Sequence, residues 1–468
     1  MRRCTFELPK MILIIWFKAK ERFFKSLVLV PQTIQFSKSV EDVSSSYYDY
    51  WYSLFSFVSK YNSALFDAAV KSFKFFLNTE GTAQKIENNI RMAFDNSLRD
   101  NLKEESLVSS MVEFVESWLK LVNLSDHRQF TSNVYNLLSY GNRFLEPLRD
   151  NINRTSSELV EMEGGFHMLH YKSDEIPKYK TPLLIVYSLI NRNYILDLLP
   201  KVSVIKNLQN QGFDIYATDW GTPAAYDESL SLKTYAEEYI DDAVERIKQI
   251  TGCEKVSLFG YCWGGLFALI YSALHQDKVK NLILHATPID IEKEKTVIEK
   301  WTSSVNADLL VDSWGNVPGW LLNLSFILRN PVETILKYPR YFDQPRTLDE
   351  IAQFFAIETW LYDSRPIIGE VYRDIVNQVY KNNLLIKNKM RVDSNTINLK
   401  DITVPLLDIV GANDDLVPPS SSKSIIDSIG SVDKNLIEFP TGHVGLCISQ
   451  MAHEKLWPKV GEWISQHS

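Results

Sequence analysis

Cys262 sits in the run Gly260-Tyr261-Cys262-Trp263-Gly264-Gly265, after a segment that reads as a short buried strand (Lys255 to Phe259) and before one that reads as an apolar helix (Leu266 to His275). A strand-to-helix turn of this kind usually presents a serine nucleophile. A thiol in that place points to acyl transfer through a thioester. Glycines at 260 and 264 let so sharp a turn close without Cβ clashes, and the first amides of the following helix favour the thiolate. The plainer alternative, a small buried cysteine between packing glycines, loses ground to the strand before it and the helix after it.

A nucleophile of this type needs a base and a group that orients the base, following it in the order acid, then histidine. Pro405 to Val410 reads as a buried strand, and the loop Gly411 to Pro419 carries the adjacent carboxylates Asp414 and Asp415, one of which is expected to face the site. Leu436 to Phe439 reads as the last strand, and Gly442-His443 follows it. His443 is the candidate base, with Asp414 fixing its tautomer and stabilising the imidazolium. The oxyanion is expected to meet the backbone amide of Trp263 and one near Ile190, in the loop after the strand at 182–188.

The other histidines fit worse. His127 lies among polar residues, His167 and His170 lie in a strand-like segment, and His275 ends a helix, where a cation suits the dipole. His285 falls in an apolar run and reads as a hydrogen-bonded core residue, while His453 and His467 belong to the C-terminal helix and tail. There is no H-E-x-x-H and no paired C-x-x-C, and the cysteines at 4, 253, 262 and 447 are scattered, so neither a metal nor a cofactor is expected.

These residues need a scaffold, and from residue 158 the pattern alternates strand and helix, as in a mostly parallel sheet covered on both faces. Thr181 to Ser188 and Phe213 to Asp219 read as strands, and Tyr235 to Ile250 as a helix with Tyr239, Ala243 and Ile247 on one stripe. From about 289 to 392 the rhythm breaks into an insertion carrying Trp301, Trp314, Trp320 and Trp360, expected to form a helical lid whose aromatics make either its own core or an apolar substrate channel. Residues 1–157 form the other region. From about 40 to 155 they read as helical, with an aromatic cluster at Tyr47, Tyr48, Tyr50, Trp51 and Tyr52 that is either an interface or a helical hairpin packed on its own chain. Met11 to Phe17 is apolar but too short to span a bilayer and is followed at once by charges; it reads as a packed helix or an amphipathic anchor, and Met11 is an alternative start.

At 468 residues and 45% hydrophobic content the chain can bury a sizeable core in two or more units. Four unpatterned cysteines indicate a reducing compartment, and a net charge of -8 leaves no basic footprint for nucleic acid.

Taken together, the cysteine box at 260–265, Pro182 to Tyr187 running into Asn191-Arg192, Asp219-Trp220-Gly221, Tyr271 to His275 before Asp277-Lys278-Val279, Leu416-Val417-Pro418-Pro419 and Gly442-His443 resemble the polyhydroxyalkanoate synthases, especially the shorter class III type, over residues 158–465. The resemblance implies an α/β-hydrolase fold and a homodimer that polymerises (R)-3-hydroxyacyl-CoA, such as 3-hydroxybutyryl-CoA, with release of CoA. It places the enzyme in the cytoplasm at the surface of polyester granules. It implies that Cys262 holds the chain as a thioester, that His443 activates it, and that Asp414 helps deprotonate the incoming hydroxyl. Class III catalytic chains work with a second, non-catalytic subunit and are shorter at the amino terminus, so the helical stretch before 155 is the main departure. Asp415 is another, since the family often has histidine or another residue there. Dienelactone hydrolases carry a nearly identical cysteine turn, so a hydrolase or thioesterase using the same three residues with water is the alternative. A granule or scaffold protein that has lost the chemistry is a third.

Overall fold

A computed structural model describes residues 154–468 apart from 163–165, 174, 224–226, 228, 295, 330–336, 338–339 and 342–347. The helical reading of residues 40–153, including the aromatic cluster, lies outside the described residues.

Eight strands form one sheet: β1 (Glu158–Glu161), β2 (His167–Tyr171), β3 (Leu183–Val186), β4 (Ile215–Asp219), β5 (Val256–Tyr261), β6 (Val279–His285), β7 (Leu406–Gly411) and β8 (Lys434–Phe439). Their spatial order is β1-β2-β4-β3-β5-β6-β7-β8. Only β2 runs against the others, pairing antiparallel with β1 and β4. Every residue of β3, β5 and β7 is buried, so these strands are continuous apolar runs, as expected of parallel strands covered on both faces.

The covering helices are α1 (Val204–Asn210), α2 (Tyr239–Thr251), α3 (Trp263–Leu274) and a C-terminal helix (Trp457–Gln466) that packs on α1. Ser203 caps α1 by accepting the Lys206 amide, and Gly252, at a φ of 71°, ends α2 in the left-handed conformation that glycine adopts without penalty. Tyr239, Ala243 and Ile247 of α2 are all buried, forming the stripe anticipated from their spacing.

Between β6 and β7 the described residues form helices at Val297–Ser304, Ala307–Trp314, Gly319–Arg329, Leu348–Leu361 and Gly369–Ile375, the last continuing into a wide turn at Val376–Lys381. The sheet belongs to a compact unit of Asn151–Ser303, Ala307–Phe326 and Trp360–Ser468. Ile327–Thr359 belongs to another, within which Lys337 pairs with Glu358 at 2.7 Å and Tyr341 stacks on Phe354. Among the described residues no helix is long and apolar enough to cross a membrane.

Candidate active site

Cys262 occupies the turn between β5 and α3 with φ 54° and ψ -121°, a conformation that L-residues adopt only when the surroundings enforce it. Two backbone bonds do so. The Cys262 amide donates to the carbonyl of His285 at the end of β6 (2.9 Å), and the Cys262 carbonyl accepts from Gly265 (2.9 Å). The flanking glycines are required by close approach. A Cβ on Gly264 would overlap the Val186 carbonyl at the end of β3, one on Gly265 would overlap the Thr287 side chain, and one on Gly260 would meet Gly265 itself. Gly264→Ala is therefore expected to lower stability by about 1–3 kcal/mol, because backbone must move to admit the methyl group. Thermal melts of the purified variant measure the loss, and an unchanged melting temperature would contradict this packing.

His443 and Asp414 arrive from the neighbouring strand ends. The loops after β7 and β8 are joined by backbone bonds from Ala412 to the Phe439 carbonyl (2.7 Å) and from Asn413 to the Thr441 carbonyl (3.0 Å). His443 Nδ1 lies 2.7 Å from Asp414 Oδ2, and both side chains are buried. Asp414 Oδ1 accepts the amides of Leu416 and Val417, each at 2.9 Å, so each of its oxygens has a partner within the protein. Asp415 is exposed, which settles which carboxylate meets the imidazole. The Cys262 thiol lies close enough to the same imidazole to act on it electrostatically.

Burial alone pushes the His443 imidazole towards the neutral form, but the charge and hydrogen bond of Asp414, with the nearby Cys262, outweigh it and raise its pKa to about 10. Because the folded value lies above the ordinary histidine value near 6.5, this contribution to stability is fully present below about pH 6.5 and is lost as pH rises towards 10. Denaturant midpoints should accordingly fall across that window in the native protein, and the slope should flatten in Asp414→Asn. Equal slopes in the two proteins would contradict the pairing.

Of the two amides expected to receive an oxyanion, that of Trp263 opens α3 and has no acceptor among the described residues. That of Ile190 donates to the hydroxyl of Ser188 (3.0 Å), so it can reach an oxyanion only if this bond opens. The segment around it is tied to residues 360–364. Asn191, at a φ of 59°, donates to the carbonyl of Trp360 (3.0 Å) and accepts from Ser364 (2.8 Å), and the Trp360 indole donates to the Arg192 carbonyl (2.7 Å).

Tyr380, from the wide turn 376–381, was not anticipated. Its hydroxyl accepts the Trp263 indole at 2.9 Å and thereby braces the residue next to Cys262. Long-range contacts of this type leave no periodic trace in a sequence. His285 corrects an expectation: it is a core residue, packed against Tyr261 and Trp457, but neither ring nitrogen has a hydrogen-bond partner. Burial, then the proximity of His443, holds it neutral. The His170 and His275 rings hydrogen-bond the carboxylates of Asp214 (2.8 Å) and Glu237 (3.2 Å). Cys447 is buried, and burial pushes its thiol well above the ordinary range, whereas Cys262 is half-buried and meets the imidazole.

A mostly parallel sheet in this strand order, with a cysteine on a strained turn after β5, a carboxylate after β7 and a histidine after β8, defines an α/β-hydrolase-fold protein. The family model for the alpha/beta hydrolase fold matches residues 181–447, and that for the poly-beta-hydroxybutyrate polymerase (PhaC) N-terminus matches residues 96–208, so the likeness reaches back beyond residue 158. The chain belongs to the poly(3-hydroxyalkanoate) polymerase family. It is 38% identical over 320 residues to the poly(3-hydroxyalkanoate) polymerase subunit PhaC of Haloferax mediterranei, a match that covers 68% of this chain and 65% of that one. It is 38% identical to the subunit of the same name from Allochromatium vinosum, over 61% of this chain and 81% of that one, and 32% identical to that of Synechocystis, over 75% and 98%.

Proposed function

We propose that this protein polymerises (R)-3-hydroxyacyl-CoA, with 3-hydroxybutyryl-CoA as the substrate of first choice, into polyester through a thioester on Cys262. The observation that carries this reading is a thiol, in place of a hydroxyl, at the head of the His443–Asp414 pair. A thiolate attacks a thioester readily and is also a good leaving group when an alkoxide attacks in turn, so the growing chain can be both loaded and passed on.

In the loading step the Cys262 sulfur attacks the thioester carbonyl, the oxyanion meets the Trp263 amide, and CoA leaves as its thiol with the proton held on His443. In the transfer step a hydroxyl of a second hydroxyacyl group gives its proton to His443 and attacks the Cys262 thioester, forming an ester and freeing the sulfur. Asp414 supports both steps through the imidazole. Both of its oxygens are occupied and its side chain is fully buried, which favours orientation of His443 over direct contact with the hydroxyl. The parts of the insertion that share the sheet's unit act, in this reading, as the lid that keeps water from the acyl-enzyme. Work as a homodimer at the surface of cytoplasmic granules, with a second non-catalytic subunit as a possible companion, belongs to the same reading.

Incubation with 3-hydroxybutyryl-CoA, following CoA release and turbidity together, tests it. Both signals are expected. Thiol release with free hydroxy acid and no polymer would establish the hydrolase instead, and neither signal would favour a non-catalytic protein.

A further inference from the structure

The oxyanion of an acyl transfer is usually met by two donors, and the turn at Cys262 offers one. The Trp263 amide has no acceptor among the described residues, but the Ile190 amide is engaged by the Ser188 hydroxyl at 3.0 Å. Either that bond opens or a second donor comes from elsewhere.

Tyr380 is placed to supply it. Its hydroxyl accepts the Trp263 indole N–H at 2.9 Å, and its own hydrogen has no acceptor among the described residues. The residue is buried, and burial pushes the phenol well above its ordinary range, so the oxygen keeps its proton at neutral pH and is a donor, not a base. After burial, the charge of the Cys262 sulfur acts on this phenol most strongly, ahead of the indole bond itself, with Glu299 behind both. A charge that outweighs a direct hydrogen bond lies close by. Glu299 does not take the phenol hydrogen: its Oε2 accepts the Thr296 amide (2.7 Å), and its buried Oε1 has no partner.

The phenol is also held in place. Tyr380 lies in the wide turn Val376–Lys381, a helix geometry that recurs at functional sites. The Leu384 amide closes this segment on the Gln378 carbonyl (2.7 Å). Asn383, at a φ of 50°, donates to Asp290 (2.7 Å) and accepts the Ile291 amide (3.2 Å), which ties the turn to the chain leaving β6. These residues all belong to the unit that contains the sheet. A donor fixed before the reaction needs no reorganisation when charge develops, which is the source of its effect. Trp263 therefore bears on both donors, since its amide is one and its ring positions the other.

We propose that the Tyr380 hydroxyl is the second oxyanion donor of this site, in place of the Ile190 amide. This rests on the reading of Cys262 as an acyl-transfer nucleophile and adds a catalytic residue to it. As the sulfur attacks, the new S–C bond forms and the carbonyl π pair moves onto oxygen, which accepts the Trp263 N–H and the Tyr380 O–H. No proton leaves the phenol. When the carbonyl re-forms, the bond to the CoA sulfur breaks and that sulfur takes the proton held on His443.

Tyr380→Phe removes the donor and keeps the ring. Its kcat for CoA release from 3-hydroxybutyryl-CoA should fall roughly 10²–10³-fold with KM little changed, because the bond is made in the transition state. Trp263→Phe breaks the brace, leaves the phenol, and should lose less. 3-Fluorotyrosine incorporated at position 380 separates the two roles by sign. Fluorine makes the phenol a stronger donor and a weaker acceptor, so kcat should rise above the native value if the hydroxyl donates to the oxyanion and fall if it only accepts the indole. Equal losses in Tyr380→Phe and Trp263→Phe, or a fluorinated protein slower than the native one, would overturn the proposal. Release of 4-nitrophenol from 4-nitrophenyl butyrate reads acylation of the same sulfur without a CoA carrier. A native protein that acts only on this ester fails as a polymerase, yet the same variants still decide the role of Tyr380. One that acts on neither substrate has no oxyanion to hold, and the proposal falls with it.

Discussion

Cys262→Ala is expected to release no CoA above background and to form no polymer. In the proposed mechanism the whole path runs through one sulfur, and removing the nucleophile of a unit that acts together costs about 10⁶-fold in comparable triads. The fold should survive the change, because the strained turn is held by backbone bonds to His285 and Gly265, not by the side chain. A folded protein by circular dichroism with no turnover is therefore the predicted pair of results. Cys262→Ser is the finer probe. It keeps a nucleophile of similar shape beside His443, but an alkoxide leaves an ester much less readily than a thiolate leaves a thioester, so loading should outlast chain transfer. The variant should accumulate a short acyl ester and make little polymer. Polymer yield close to that of the native protein would mean that the choice of sulfur is not what makes the reaction a polymerisation.

Asp414→Asn is the second large effect, expected near a 10⁴-fold loss of turnover, the size seen when a triad carboxylate is replaced by its amide. The amide keeps the shape of the side chain and can still accept the Leu416 and Val417 amides through its oxygen. What changes is the charge 2.7 Å from Nδ1. Without it, burial again dominates the imidazole, so the His443 titration should move down from about 10 towards or below the ordinary histidine range. Carbon-13 signals of labelled histidine, followed against pH, measure the move directly. His285 is the internal reference, since burial already holds it neutral. A His443 titration that stays in place in Asp414→Asn would show that the carboxylate is not what holds the proton there.

Much of this arrangement could be read from residue order because the features that carry it are local. A buried run of β-formers, a glycine-flanked cysteine and an apolar helix lie within twenty residues, and the structure places β5, the turn and α3 there. The strands before Asp414 and His443 were legible for the same reason, being short apolar runs closed by glycine-containing loops. The choice between Asp414 and Asp415 was not. Adjacent residues in a loop point in different directions according to the turn, and here the amides of Leu416 and Val417 decide it by gathering round one carboxylate. Tyr380 and the Asn191 strut escaped because each depends on a partner far away in the chain, and nothing near either residue signals the pairing. The Ile190 amide shows a further limit: a position can be inferred from a loop, but whether its N–H is free depends on one hydroxyl two residues back.

Intact-protein and peptide mass spectrometry, after brief incubation of the native chain with 3-hydroxybutyryl-CoA and rapid acid quenching, is the most direct measurement of the central claim. The account predicts one or more 3-hydroxybutyryl units attached to the peptide that contains Cys262, released by neutral hydroxylamine and absent from Cys262→Ala. An unmodified Cys262 in a sample that is visibly making polymer would contradict it.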